Sequence, residues 1–162
     1  MKIAVYGPLY NERSKSTIQT LIEYLKKRDA KVVFEKNFQA SIVTNSDIDI
    51  NAYFSDTFEE LDASFELLIS IGGDGTILRA ITFVKDLKIP IVGINTGRLG
   101  FLATIPMHTI EEAMDEIFEG NYRVSKRSLL TIDVDAKDTS YDLDFALNEI
   151  AVSRKNTTSM IS

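Results

Sequence analysis

Apolar positions along the first 120 residues switch repeatedly between short continuous runs and a helical period. Lys2 to Tyr6 is an apolar run closed by Gly7-Pro8, and Ile18, Leu21, Ile22 and Leu25 then recur at i, i+3, i+4 and i+7. The run predicts a buried strand and the recurrence a helix, with Ser16 and Gln19 as its capping box. Lys31 to Glu35 predicts a second strand, while residues 37–55 are mixed in period and give no assignment. Glu66 to Ile71 is a further buried run that meets Gly72-Gly73-Asp74-Gly75-Thr76, after which Ile77, Ile81 and Val84 mark one side of a helix ending before Pro90. Ile91 to Ile94 precedes Asn95-Thr96-Gly97-Arg98-Leu99-Gly100-Phe101. A third helix is predicted over 108–119, with Ile110, Ala113, Met114 and Ile117 on one face, Thr109 and Glu112 as capping box, and Gly120 at the C′ position.

Strands alternating with helices imply parallel pairing, because parallel neighbours need a crossover of this size. The expected fold is therefore α/β, a doubly wound and mostly parallel sheet over residues 1–120. After Gly120 the period becomes two. Leu130, Ile132 and Val134 alternate with Thr131, Asp133 and Asp135, Ala136 to Ser140 forms a polar turn, and Tyr141, Leu143, Phe145 and Leu147 alternate again. This predicts the first strands of an antiparallel β domain over 121–162. About 40 residues rarely complete a stable core, so further residues or a second chain are expected to complete it.

Composition narrows the function classes. The chain has 162 residues, close to one domain of ~150. Its longest apolar runs fall far short of the ~20 residues of a membrane span, and Gly7-Pro8 interrupts the N-terminal run before a signal-peptide core can form. No membrane attachment is expected, and the predicted location is cytoplasmic. There are no cysteines, which excludes thiolate chemistry and Cys-based zinc sites, and the one histidine, His108, read as a helix-start residue, leaves little scope for a histidine-rich metal site. The net charge of −6 carries no general footprint for nucleic acid, so any phosphate must be met locally. Asp56 to Glu66 is densely acidic and reads as a solvated segment before a buried strand.

The local chemistry lies in the two glycine segments. In Gly72-Gly73-Asp74-Gly75-Thr76 a helix follows the glycines, which disfavours a hairpin turn; bare glycines let backbone N–H groups approach a phosphate at the helix N-terminus. An aspartate among those donors repels a phosphate unless it holds a metal or accepts a hydrogen bond from a hydroxyl. Phosphoryl transfer to an alcohol supplies that hydroxyl, and a weak carboxylate base suffices when the transition state is loose. Asn95 to Gly100 repeats the strand–loop arrangement, and two adjacent parallel strands ending in such loops open a crevice at their carboxyl ends. Arg79, one turn into the helix, lies within reach of a nucleotide phosphate or in solvent. Asn148-Glu149 places an amide and a carboxylate at a strand end, suited to adenine-edge and ribose-hydroxyl hydrogen bonds, or to a plain turn.

Gly72-Gly73-Asp74-Gly75-Thr76, Asn95-Thr96-Gly97-Arg98-Leu99-Gly100-Phe101-Leu102-Ala103 and Leu147-Asn148-Glu149 together resemble the NAD kinase family, in order and separation, over almost the whole chain. The Gly-Gly-Asp-Gly segment alone is shared with 6-phosphofructokinases and diacylglycerol-type lipid kinases. The alternatives are a lipid kinase, whose Gly-Thr-Gly-Asn-Asp-like second loop differs from Asn95–Gly100, and a non-catalytic nucleotide-binding module. The resemblance implies ATP-dependent phosphorylation of the adenosine ribose 2′-hydroxyl of NAD to NADP, with a divalent cation such as magnesium. It further implies Asp74 as the catalytic group, and Gly72, Gly73, Gly75, Arg79, Asn95, Gly97, Asn148, Glu149 and Ser159 in the nucleotide sites, with no protein metal ligand assigned. A homo-oligomer is also implied. Family members continue into a Thr-Pro-Thr-Gly-Ser-Thr-Ala-Tyr-like segment not found in these 162 residues, so this piece alone is expected to be inactive.

Overall fold

The computed structural model describes residues 1–28, 30–98, 100–132 and 145–151. The chain divides into two compact units, residues 1–123 and 124–162. The first is an open six-stranded sheet of β1 (Lys2–Tyr6), β2 (Lys31–Glu35), β3 (Thr57–Phe58), β4 (Leu67–Gly72), β5 (Ile91–Asn95) and β6 (Ile105–Pro106). All neighbours pair in parallel, in the order β3-β2-β1-β4-β5-β6. The order reverses between β1 and β4, and open α/β sheets take ligands beyond the carboxyl ends at such a reversal.

Period-two alternation sends each strand's side chains to two separate cores. Ile3, Val5, Val32, Phe34, Leu67, Ile69 and Ile71 pack with α1 (Lys15–Leu25), α2 (Lys36–Asn45) and α4 (Ile110–Phe118) on one face. Ala4, Tyr6, Val33 and Leu68 pack with α3 (Asp74–Val84) on the other. Both faces are covered, which is why the strands read as continuous apolar runs.

Several local expectations are corrected. α1 is not capped by a Ser16–Gln19 box: the reciprocal pair is Asn11 with Ser14, one turn earlier, around a short 3-10 turn at Glu12–Ser14. Ser16 instead donates to Met107 Sδ at 3.0 Å. The helix expected over 108–119 begins at Ile110 behind a 3-10 turn, Met107–Thr109, that contains His108. Thr109 Oγ1 donates back to Pro106 O, so the Thr109–Glu112 box does not form. In α3 the buried stripe is Thr76, Ile77, Ala80 and Val84, with Ile81 half-buried. Residues 37–55 supply α2, whose N-cap is Glu35: its carboxylate accepts from the amides of Asn37 and Phe38 at 3.1 and 2.8 Å.

Gly120 ends α4 at φ +79°. Its N–H reaches Ile117 O at 3.1 Å and the Asn121 N–H reaches Glu116 O at 2.8 Å, the paired bonds of a Schellman motif. In the acidic stretch, Asp56 pairs with Lys31, Glu59 with Lys36 and Asp62 with Lys2, and Thr57–Phe58 forms the edge strand. In the second unit β7 (Leu130–Thr131) and β8 (Phe145–Ala146) pair antiparallel. The remaining positions of the alternating runs at 133–144 lie outside the described residues. No helix among the described residues is long and apolar enough to cross a membrane.

Candidate functional site

β4 and β5 are adjacent and in register to their last residues, Gly72 opposite Asn95. Both glycine segments therefore leave the sheet side by side, and the Thr96 N–H donates to Gly72 O across them at 3.4 Å. At Gly72, φ is +155° and an added Cβ would run into the Thr76 side chain, so only glycine permits this abrupt strand-to-helix turn. α3 starts at once, its N-cap Gly73 supplying no side-chain cap. Gly73 and Gly75 face open space. An uncapped helix start beside bare glycines matches the donor geometry a phosphate requires.

Asp74 occupies the first turn of α3 and turns toward the second segment. Its Oδ2 accepts the Phe101 N–H at 2.8 Å, and its Oδ1 accepts those of Leu102 and Ala103 at 2.9 and 3.0 Å. These bonds, Ala103's foremost, hold the carboxyl below the usual carboxylate range. A Cβ on Gly100 would overlap the carboxylate, coming within 2.6 Å of Cγ. Gly93 is equally constrained, since its Cβ would meet Ala103 Cα at 2.7 Å and the Ile77 side chain. Gly93, Gly100 and the fully buried Ala103 thus seat the second segment against α3, a role that spacing alone does not reveal.

Asn95 is 4% exposed and acts within its own loop. Its Nδ2 donates to Arg98 O at 2.9 Å and Ala103 O at 3.3 Å, while its Oδ1 accepts from Gly97 N at 2.7 Å. Gly97 itself is exposed. Leu99 lies outside the described residues, and Phe101, 94% exposed, projects from the loop. On the opposite side of the β4 carboxyl end, the exposed Arg79 lies beside the Tyr6 hydroxyl at the end of β1. Burial raises the Tyr6 pKa, and the nearby positive charge of Arg79 opposes that shift.

Asn148 and Glu149 are exposed and follow β8 in the second unit. Ser159 lies outside the described residues. No group of three His, Cys, Asp or Glu side chains able to hold a metal occurs among the described residues. Magnesium in nucleotide sites is held by one or two carboxylates with phosphates and waters. Among the described residues, Asp74 is the carboxylate at the joined glycine loops, and it would fit a cation shared with a nucleotide's phosphates.

Fold and site define an open, doubly wound α/β domain with two glycine loops joined at its carboxyl edge through one aspartate. The sequence model for the ATP-NAD kinase N-terminal domain matches residues 6–122, and the chain belongs to that family. It is 49% identical over 165 aligned positions to the NAD kinase of Christiangramia forsetii and 39% over 162 to that of Bacteroides fragilis, in both cases over its whole length and 55% of the relative's. The chain thus spans about half the length of these curated relatives. In fold it is similar to yeast NADH kinase, crystallised with NADH, at a TM-score of 0.70 and 17% identity, over 91% of this chain and 47% of the yeast chain.

Proposed function

We propose that this chain carries the phosphoryl-transfer half of an NAD kinase, which moves the γ-phosphoryl group of ATP to the adenosine ribose 2′-hydroxyl of NAD. The observation that supports this most directly is the position of Asp74, a carboxylate at the N-terminus of α3 where the two glycine loops join. The 2′-oxygen forms a bond to the γ-phosphorus as the bond to the β-phosphate oxygen breaks, releasing ADP. The hydroxyl proton passes to an Asp74 carboxylate oxygen. A weak base is adequate because charge on the attacking oxygen develops late in a loose transition state.

Gly72, Gly73 and Gly75 bring backbone amides to the phosphates, and Arg79 adds a positive charge. Asn95 and Gly97 keep the second loop in shape. Asn148, Glu149 and Ser159 take the NAD side, contributed by the β-rich part of the protein. A magnesium ion bound with ATP, with Asp74 the nearest carboxylate of the loops, would supply charge neutralisation at the phosphates. The same reading includes a cytoplasmic location and a homo-oligomer of the longer protein.

The test is Asp74→Asn in the full-length protein, assayed for NADP formation at saturating ATP and NAD. Removing a general base lowers turnover by ~10²–10⁴-fold. A folded Asp74→Asn enzyme with near-normal turnover would remove Asp74 from the chemistry. Partial recovery of the rate on raising magnesium would make it a metal ligand instead of a base.

A further inference from the structure

The proposed chemistry and the observed geometry make incompatible demands on one carboxylate. Three amide donors converge on the two Asp74 oxygens, from residues 27, 28 and 29 positions away on a different segment. A carboxylate so saturated is a poor proton acceptor. We propose that the Phe101, Leu102 and Ala103 amides form an oxyanion cradle whose resting occupant is the chain's own Asp74 carboxylate, and that a phosphoryl oxyanion takes its place when ligand binds.

Successive N–H groups aimed at one point make a concave anion site, in which a carboxylate and a phosphoryl oxygen are interchangeable as acceptors. Two amides share Oδ1 while the third takes Oδ2, as in a hole built for an anion with more than one oxygen. The Gly100 position is part of the cradle, because any side chain there would occupy the space that the anion now fills. Ala103 closes it from below, fully buried and held at its carbonyl by Asn95 Nδ2. Departure of the carboxylate leaves three inward N–H groups without an acceptor, which an incoming oxyanion satisfies. The same exchange frees Asp74 for the acceptor hydroxyl. The cradle itself stands on the geometry; that its physiological anion is a nucleotide phosphate rests on the proposed kinase function.

The test follows the amide resonances of residues 101–103 in the full chain during titration with inorganic phosphate and, separately, formate. In Asp74→Ala the vacated cradle should give saturable shifts at those three amides. They should appear at an anion concentration at least ~10-fold below that needed in the unaltered chain, where the tethered carboxylate competes at high effective concentration. Asp74→Asn retains the size of the side chain without its charge and should show the same ordering, guarding against loop collapse in the alanine variant. Gly100→Ala, which fills the cradle, should give no saturable response. Identical titrations in the unaltered chain and both Asp74 variants would overturn the proposal, as would shifts confined to residues 72–75. An ATP arm separates the two readings: phosphate binding at 101–103 without ATP binding anywhere would keep the cradle and defeat the kinase proposal.

Discussion

Beyond its proposed part in the chemistry, Asp74 ties the second glycine loop to α3, and that tie depends on pH. Its three amide bonds favour the charged carboxylate, a pure acceptor, and lower its pKa in the folded chain below the ~3.9 of an unfolded aspartate. A depressed folded pKa stabilises the fold fully above the unfolded pKa. That contribution is lost as pH falls through the folded pKa. Asp74→Asn removes the titration and presents an NH2 group to a cradle made only of donors. The variant should therefore melt below the unaltered chain from about pH 5 upward, with the gap closing as pH falls below ~4. Parallel melting curves of the two proteins from pH 2 to pH 7, measured by circular dichroism, check this. A constant gap would show that size and shape, not charge, seat the loop.

Caps decide where the elements of the first unit begin and end, and they also mark how far the sequence could be read. β1, β2, β4 and β5 were legible because both faces of the sheet are covered and the strands are continuously apolar. α1 and α3 were legible from their buried stripes, and Gly120 from its place after the α4 pattern. α2 was not, because its cap is a buried glutamate at the end of β2 and not one of the short polar residues that favour N-caps. Its short apolar face is Phe38 and Ile42, with the buried Gln39 between them donating to Phe54 O and Asn51 Oδ1. β3 and β6 are two-residue edge strands whose pairing follows from the sheet and not from local preference. At the site, the glycines and Asp74 were legible, whereas the joining of the two loops through Asp74 arises only from the parallel register of β4 and β5. Glu35→Ala should cost about 0.5–2 kcal/mol, the range for a lost N-cap, with the loss confined to the α2 region in amide exchange. Gly120→Ala, which forces a Cβ into the left-handed region, should cost about 1–2 kcal/mol. Urea unfolding measures both, and a neutral Glu35→Ala would mean that α2 is held by its packing alone.

At the scale of the whole molecule, the apolar burial seen among the described residues belongs to the first unit. Every residue assigned to the two cores of the first unit lies at or before Phe118, and the described residues from 124 onward are exposed or half-buried. Ile3, Ile18, Leu21, Phe34, Leu68, Ile69 and Ile94 have no measurable exposure. Deleting one such side chain to alanine, as in Ile69→Ala, should cost about 2–5 kcal/mol through lost transfer energy and the cavity left behind. Ending the chain after Arg123 removes none of these side chains and leaves the Gly120 cap intact. Residues 1–123 should therefore unfold cooperatively, with a stability loss below ~1 kcal/mol and a melting temperature within about 4 °C of the longer chain. Scanning calorimetry of the two lengths decides the matter. A broad, non-cooperative melt of residues 1–123 would mean that the sheet depends on residues 124–162 for its stability, while a sharp transition would make it an independently folding platform that holds Asp74 and both glycine loops in place.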